Sequence, residues 1–151
     1  MSIYMKYEGT AQGWIKGDSK AHAWADFIAL TSVEFGMGHP YDSQTSMITG
    51  KQVVRPLVLT KGVDKATPLL MTSSCTNEVG KTVKISYTRT GVEGKVNTFF
   101  TIELTNALVQ DFKHHAAEDG SAIETLHLTF QKIEITWTDG GLTAITDVSS
   151  K

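Results

Sequence analysis

The sequence predicts an all-β protein with one short helix: a small β-barrel of two packed antiparallel sheets from which a long extended loop projects. Three observations carry this expectation. Of 151 residues, 41 are β-branched (20 Thr, 11 Val and 10 Ile), and such stiff side chains pack well on a pleated surface. Two consecutive segments alternate apolar and polar residues at the period of a strand. A third segment also alternates, but its apolar parity flips halfway along, which one flat strand cannot accommodate. The length is that of a single domain, residues 1–151, enough to remove roughly 70% of the unfolded surface from water without disulfides or metals.

Along the chain, residues 3–7 are an apolar and aromatic run stopped by Gly9, Gly13 and Gly17, the pattern of a first strand and its turn. Residues 26–35 are mostly β-forming and make a second strand. Residues 36–51 then lose all periodicity, and a polar, turn-rich stretch of this length in a small domain is more often functional than idle. Residues 53–60 resume a strand; Pro56 lacks a ladder donor, so this strand is expected at an edge or with that position facing solvent. Residues 64–68 (Asp-Lys-Ala-Thr-Pro) are a helix start, with Thr67 as N-cap and Pro68 at the first helical position. The helix should run through Leu69, Leu70, Met71 and Cys75 and stop near Gly80.

The most regular part follows. Val83, Ile85 and Tyr87 share one face of residues 82–89, with Lys84, Ser86 and Thr88 on the other. After a turn over 90–95, residues 96–104 set Phe100, Ile102 and Leu104 against Asn97, Thr101 and Glu103, completing a hairpin. Residues 111–122 read as a second polar connection. In residues 125–138, Leu126, Leu128 and Phe130 share one parity, whereas Ile133, Ile135 and Trp137 share the other. Burying both sets needs a bulge, or passage of the strand from one sheet to another. Asp139-Gly140-Gly141 then turns into a last strand over residues 142–148. The sum is about seven strands and one helix.

Several function classes fall away. The net charge is −2 with only two arginines, Arg55 and Arg89, so there is no electrostatic footprint for nucleic acid. No apolar run is long enough for membrane insertion by a helix. The first residues include Lys6, Glu8, Lys16 and Asp18 rather than the apolar core of a signal peptide, so the expectation is a cytoplasmic product without classical export. Gly80-Lys81-Thr82 has the tail of a phosphate-binding loop, but Cys75 stands where the first glycine is required, and a helix precedes where a strand should. His114 and His115 are adjacent, not at metal-ligand spacing, and Glu118 and Asp119 beside them read as solvated. His22 and His39 are scattered; His127, between Leu126 and Leu128, reads as outward-facing. Ser19 has no nucleophile elbow around it, and Cys75 reads as a small apolar filler beside Leu70 and Met71. No catalytic, metal-binding or cofactor-binding set emerges, so the chain is expected to be no enzyme and to need no cofactor. Trp14, Trp24 and Trp137 could form a sugar-stacking platform, which keeps a small-ligand-binding barrel (sugar or lipid) as the alternative, although aromatics more often fill a core or a subunit interface.

Residues 60–71, Thr-Lys-Gly-Val-Asp-Lys-Ala-Thr-Pro-Leu-Leu-Met, resemble the Thr-Lys-x-x-Asp-Lys-x-Thr-Pro-x-Leu signature that leads into the single helix of the haemolysin-coregulated protein (Hcp) family, the tube proteins of bacterial type VI secretion. Lys16-Gly17-Asp18-Ser19, Phe35-Gly36-Met37, residues 104–109 and residues 128–134 continuing to Trp137 are similar to further family segments in the same order. The resemblance implies a barrel that assembles into homohexameric rings, which stack into a hollow tube inside contractile sheath proteins, end on a spike protein and carry effector proteins out of the cell. It implies no catalysis. In that setting the loop over 36–51, with Met37, His39, Tyr41, Asp42 and Met47, is expected to join rings; a loop with no partner is the plainer alternative. Ser32, Glu34, Thr82, Lys84, Ser86 and Thr88 are candidates to face a wet lumen, and an ordinary solvated surface is equally compatible with them.

Overall fold

Alternation along the chain is the device that builds this molecule, and it is cleanest in the first strand, where Ile3, Met5 and Tyr7 are buried between Tyr4, Lys6 and Glu8. The computed structural model describes residues 1–148. Its elements are β1 (Ser2–Gly9), β2 (Gly13–Ile15), β3 (Ile28–Glu34), β4 (Met37–Gly38), β5 (Val53–Val54), β6 (Leu57–Gly62), α1 (Thr67–Thr76), β7 (Gly80–Thr90), β8 (Val96–Ala116), β9 (Ala122–Thr129), β10 (Lys132–Trp137) and β11 (Leu142–Asp147). Strands β8, β7, β1, β3, β6 and β9 pair in that order, and β9 returns to β8, closing an antiparallel barrel. Strands β10 and β11 extend the sheet beyond β8, while β2 adds to β1. The predicted all-β barrel with one short helix is therefore the fold. Its interior is filled by side chains such as Met5, Ile28, Leu59, Ile85, Ile102 and Leu126, all fully buried, each worth about 1.5–3 kcal/mol relative to exposure.

The parity flip is a corner. Strand β9 ends at Thr129 and β10 begins at Lys132. Across that break the chain leaves its pairing with β6 and the far half of β8 and joins the near half of β8. Strand β8 turns at the same level: Asn106 is left-handed (φ 54°), and its Nδ2 donates to Gln131 Oε1 at 2.6 Å while the Gln131 N–H donates to Thr105 O at 3.0 Å. Leu126 and Leu128 before the corner, and Ile133 after it, thus all reach the core.

Five expectations are corrected. Pro56 does not mark an edge: β6 lies between β3 and β9, and Pro56 sits just ahead of the ladder, where no donor is needed. Thr67 is not the N-cap. Ala66 occupies that position in helical conformation without a side-chain cap, and the turn before it is closed reciprocally. Asp64 Oδ1 accepts the Ala66 N–H at 3.0 Å, and Thr67 Oγ1 accepts the Asp64 N–H at 3.2 Å, an Asx turn locked by the threonine hydroxyl. The helix stops at left-handed Asn77 (φ 54°), not near Gly80, and Cys75 is exposed on it rather than filling the core. Residues 111–122 are no plain connection, because β8 continues to Ala116 and β9 starts at Ala122.

The signature stretch has a structural purpose. Lys61, wholly buried, places Nζ 2.6 Å from Glu124 Oε1 and 3.0 Å from Asp64 Oδ1. Glu124, equally buried, also accepts Thr67 Oγ1–H at 2.7 Å. His114 Nδ1 lies 3.0 Å from its other oxygen, so the ionised carboxylate places the imidazole proton on Nδ1. Burial alone would raise the Glu124 pKa. The hydrogen bonds from Lys61, Thr67 and His114 and the Lys61 charge outweigh it and hold the carboxyl below its ordinary range.

Removing one partner strands a buried charge, so Lys61→Met and Glu124→Gln should each lose about 3–5 kcal/mol in urea denaturation, and a loss under about 1 kcal/mol would show the pair to be dispensable. Because the folded carboxyl titrates low, its contribution is complete above the ordinary carboxylate range and disappears as pH falls through its folded pKa; wild type and Glu124→Gln should therefore converge in stability at acid pH. At the corner, Asn106→Ala should cost about 1–3 kcal/mol through left-handed strain and a lost hydrogen bond, and Asn106→Gly should cost less.

Candidate assembly surfaces

Between β3 and β6 the chain leaves the barrel as an arm. At its base, Met37 pairs with Val54 and Gly38 with Val53, and further out Tyr41 bridges to Ile48. The tip is closed by the Asp42 N–H donating to Met47 O at 2.8 Å and the Ser46 N–H to Asp42 O at 2.7 Å, with Asp42 Oδ1 accepting the Gln44 N–H. The Arg55 side chain lies along the glycine backbone at the hinge. A Cβ on Gly36 would stand 3.0 Å from its guanidinium, so that the arginine side chain would have to shift by a few tenths of an ångström to admit one.

All five arm residues expected to form a contact surface are on this projection. His39 and Asp42 are exposed, Tyr41 and Met47 expose 65% and 66% of their surface, and Met37 sits half-covered at the base. Sequence reading passed over Ile48 (64% exposed) and Val53, which complete the apolar set. Ile48 is a β-branched apolar residue inside a polar stretch, and that was the available signal. Apolar side chains concentrated on a solvated projection mark an interaction surface.

The six residues expected to face a lumen do not form one surface. Thr82, Lys84 and Ser86 project from the outer face of β7, flanked by Glu8, Lys6 and Tyr4 of β1 and by Thr105, Glu103 and Thr101 of β8. Ser32 and Glu34 lie on β3 opposite Thr60 and Val58 of β6, on another wall of the barrel. Thr88 follows a register shift and is covered, its hydroxyl donating to Ser2 O at 3.0 Å. Ser86 is also covered, at 4% exposure. The wall of β1, β7, β8, β10 and β11 is nonetheless polar along its outer face, and among the described residues it ends in an unpaired edge: there β11 pairs with β10 alone and exposes Leu142 and Ile145.

The remaining candidates are dispersed. His114 belongs to the Glu124 network, and His127 faces outward between Val58 and Asp111 on the neighbouring strands. Tyr7 is buried beside Gly80, and burial, then the Glu78 charge, push its phenol up to about 12. The tryptophans make no common platform. Trp24 stacks on Tyr4 at 5.0 Å and Trp14 meets Phe27 at 5.8 Å on the outer wall, while Trp137 packs against Phe99 near the Arg89–Asp139 ion pair.

The family model described as "Type VI secretion system effector, Hcp" matches residues 4–137. The chain belongs to the Hcp family. It is 32% identical to the "Major exported protein" of Pseudomonas aeruginosa over 151 residues, covering 89% of this chain and 87% of that protein. Among solved structures, the Hcp1 protein of E. coli EAEC 042 superposes with a TM-score of 0.90 at 21% identity over 98% of this chain and 99% of that one, a likeness of fold. The secreted protein Hcp3 of Pseudomonas aeruginosa gives 0.79 at 26% identity over 96% and 98%. Membership makes this chain a type VI secretion component of the tube-protein family, a structural family rather than a known enzyme family.

The arm's exposure can be checked by proteolysis of the Hcp chain. Lys51 is the accessible tryptic site within it, because Arg55 precedes Pro56. Trypsin should cut the dispersed protein at Lys51 while strand lysines such as Lys84 and Lys113 survive; the reverse order, read by mass spectrometry, would show the arm to be packed away.

Proposed function

We propose that this chain is the repeating unit of a hollow type VI tube: copies close head to tail into hexameric rings, rings stack through the arm, and the lumen carries effector proteins. The observation that carries this reading is the arm itself, whose Tyr41, Met47 and Ile48 are solvated in the protomer and need a partner to be covered. Ring closure is supported by the free edge of β11, since a heterologous contact that closes on itself removes such edges. The polar wall bearing Thr82 and Lys84 is assigned to the lumen, where a wet, hydroxyl-rich surface suits transient cargo. Contractile sheath proteins would surround the tube and a spike protein would end it. Export from the cytoplasm would then proceed through the machine that the protein helps to build. The ligand-binding-barrel reading gains nothing from the packing, because the barrel interior is occupied by its own side chains.

Negative-stain microscopy of the purified protein should show six-fold rings, and a strictly monomeric profile at high concentration would overturn the reading. The double variant Tyr41→Asp/Met47→Asp should leave rings intact and shorten tubes, because two buried carboxylates without partners oppose stacking. Unchanged tube length would remove the arm from that role.

A further inference from the structure

Methionine ordinarily belongs to a protein's interior, yet of the five methionines in this chain only Met5 is enclosed. Met1, Met37, Met47 and Met71 are exposed, and two of these, Met37 and Met47, stand on the arm. Their thioethers accept an oxygen atom from a peroxide under mild conditions, which the neighbouring Ile48 and Val53 do not. The sulfoxide that results is polar, so the reaction changes the character of the arm's apolar set without changing its length or charge.

The two arm methionines differ in what lies beside the sulfur. Gln52 Nε2 stands 3.0 Å from Met37 Sδ, so an oxygen added at Met37 meets a donor already in place. Met47, 66% exposed, makes its hydrogen bonds among the described residues through its backbone. Its N–H donates to Thr45 Oγ1 at 3.4 Å, and its carbonyl accepts the Asp42 N–H at 2.8 Å. Those bonds hold the tip whatever the state of the sulfur, so oxidation alters what the arm presents and leaves its fold alone. A Met47 sulfoxide pressed against an apolar surface is a buried acceptor without a donor, which opposes the contact.

We propose that Met47 is a reversible oxidation site that switches ring stacking off. The proposal rests on the reading that the arm joins rings. The Met47 Sδ lone pair attacks one oxygen of hydrogen peroxide; the S–O bond forms as the O–O bond breaks, and the departing hydroxide takes the proton of the transferred oxygen and leaves as water. Sulfur loses two electrons and the peroxide gains them. A dithiol reductant reverses the step, becoming a disulfide and releasing water as the thioether returns. Stacking covers Met47, so the reaction belongs to dispersed rings and to the open end of a tube. Rings kept reduced add to one another, and rings oxidised at Met47 do not. Met37, with Gln52 at its sulfur, is oxidised without this effect.

The test uses the full chain carrying Cys75→Ser, which removes the exposed thiol as a competing target. Dispersed protein is treated with hydrogen peroxide, the oxygens are located by tandem mass spectrometry, and tube length is measured by negative-stain microscopy. Met47 should be oxidised well before Met5, and tubes should shorten several-fold while rings persist. Adding Met47→Leu, a swap of similar volume, should leave tubes long before and after peroxide, whereas Met37→Leu should respond as the parent does. Methionine sulfoxide reductases with dithiothreitol should restore the parent's tubes. Oxidation of Met5 as fast as Met47, equal shortening in Met47→Leu, or no recovery on reduction would overturn the proposal. Rings that never stack before treatment would overturn the stacking reading and the switch with it, while tubes that form yet ignore the Met47 sulfoxide would overturn the switch alone.

Discussion

The buried Lys61–Glu124 pair is the constraint on which the arrangement of this protein depends. Two charges taken out of water are tolerated only when each is fully engaged, and here Asp64, Thr67 and His114 complete the engagement. The pair joins β6 to β9, the turn before α1 to both, and the far half of β8 through His114. Helix α1 would otherwise be poorly anchored, because it has no apolar stripe and buries only Leu70 and Ser73. Its other anchor is also polar: Gln12 Nε2 donates to Leu69 O and Ser73 Oγ, and Glu78 accepts from the Ala11 and Gln12 backbone.

Closure and the corner then determine what is left for assembly. Because β8 spans 21 residues and bends at Asn106, it serves both the barrel and the sheet extension carrying β10 and β11. The barrel consumes the apolar parity of every strand in its own interior. The arm, the outer wall and the β11 edge remain open to other molecules, and each is of a different kind: an apolar projection, a polar charged face and a backbone edge that no further strand pairs among the described residues.

Legibility from sequence followed the range of the interactions. The 82–104 hairpin and the need for a corner between Phe130 and Ile133 were readable because period-2 alternation is local. The arm was readable from its loss of period. The strand over 111–116 was hidden because Asp111, Lys113, His114 and His115 are polar on both faces, leaving Phe112 as the sole inward signal. The Thr-Lys-x-x-Asp-Lys-x-Thr-Pro signature was recognisable, but its partner Glu124 lies 63 residues beyond Lys61, and nothing local marks Glu124 as buried. Likewise Ser32 and Lys84 look alike as polar residues on alternating strands, and only strand order separates their walls.

By itself, then, the sequence determined that the chain would make strands, where its turns and arm would fall, and which family it resembles, since these follow from local period, turn chemistry and a contiguous motif. Tertiary structure alone decided that Lys61 meets Glu124, that β6 is central despite Pro56, that Thr67 serves a buried carboxylate, and that Trp24 stacks on Tyr4. The physical reason is that the strand order around a closed barrel is chosen by the whole set of long-range pairings, each enforced by burial on one face, and no single stretch of sequence contains that choice.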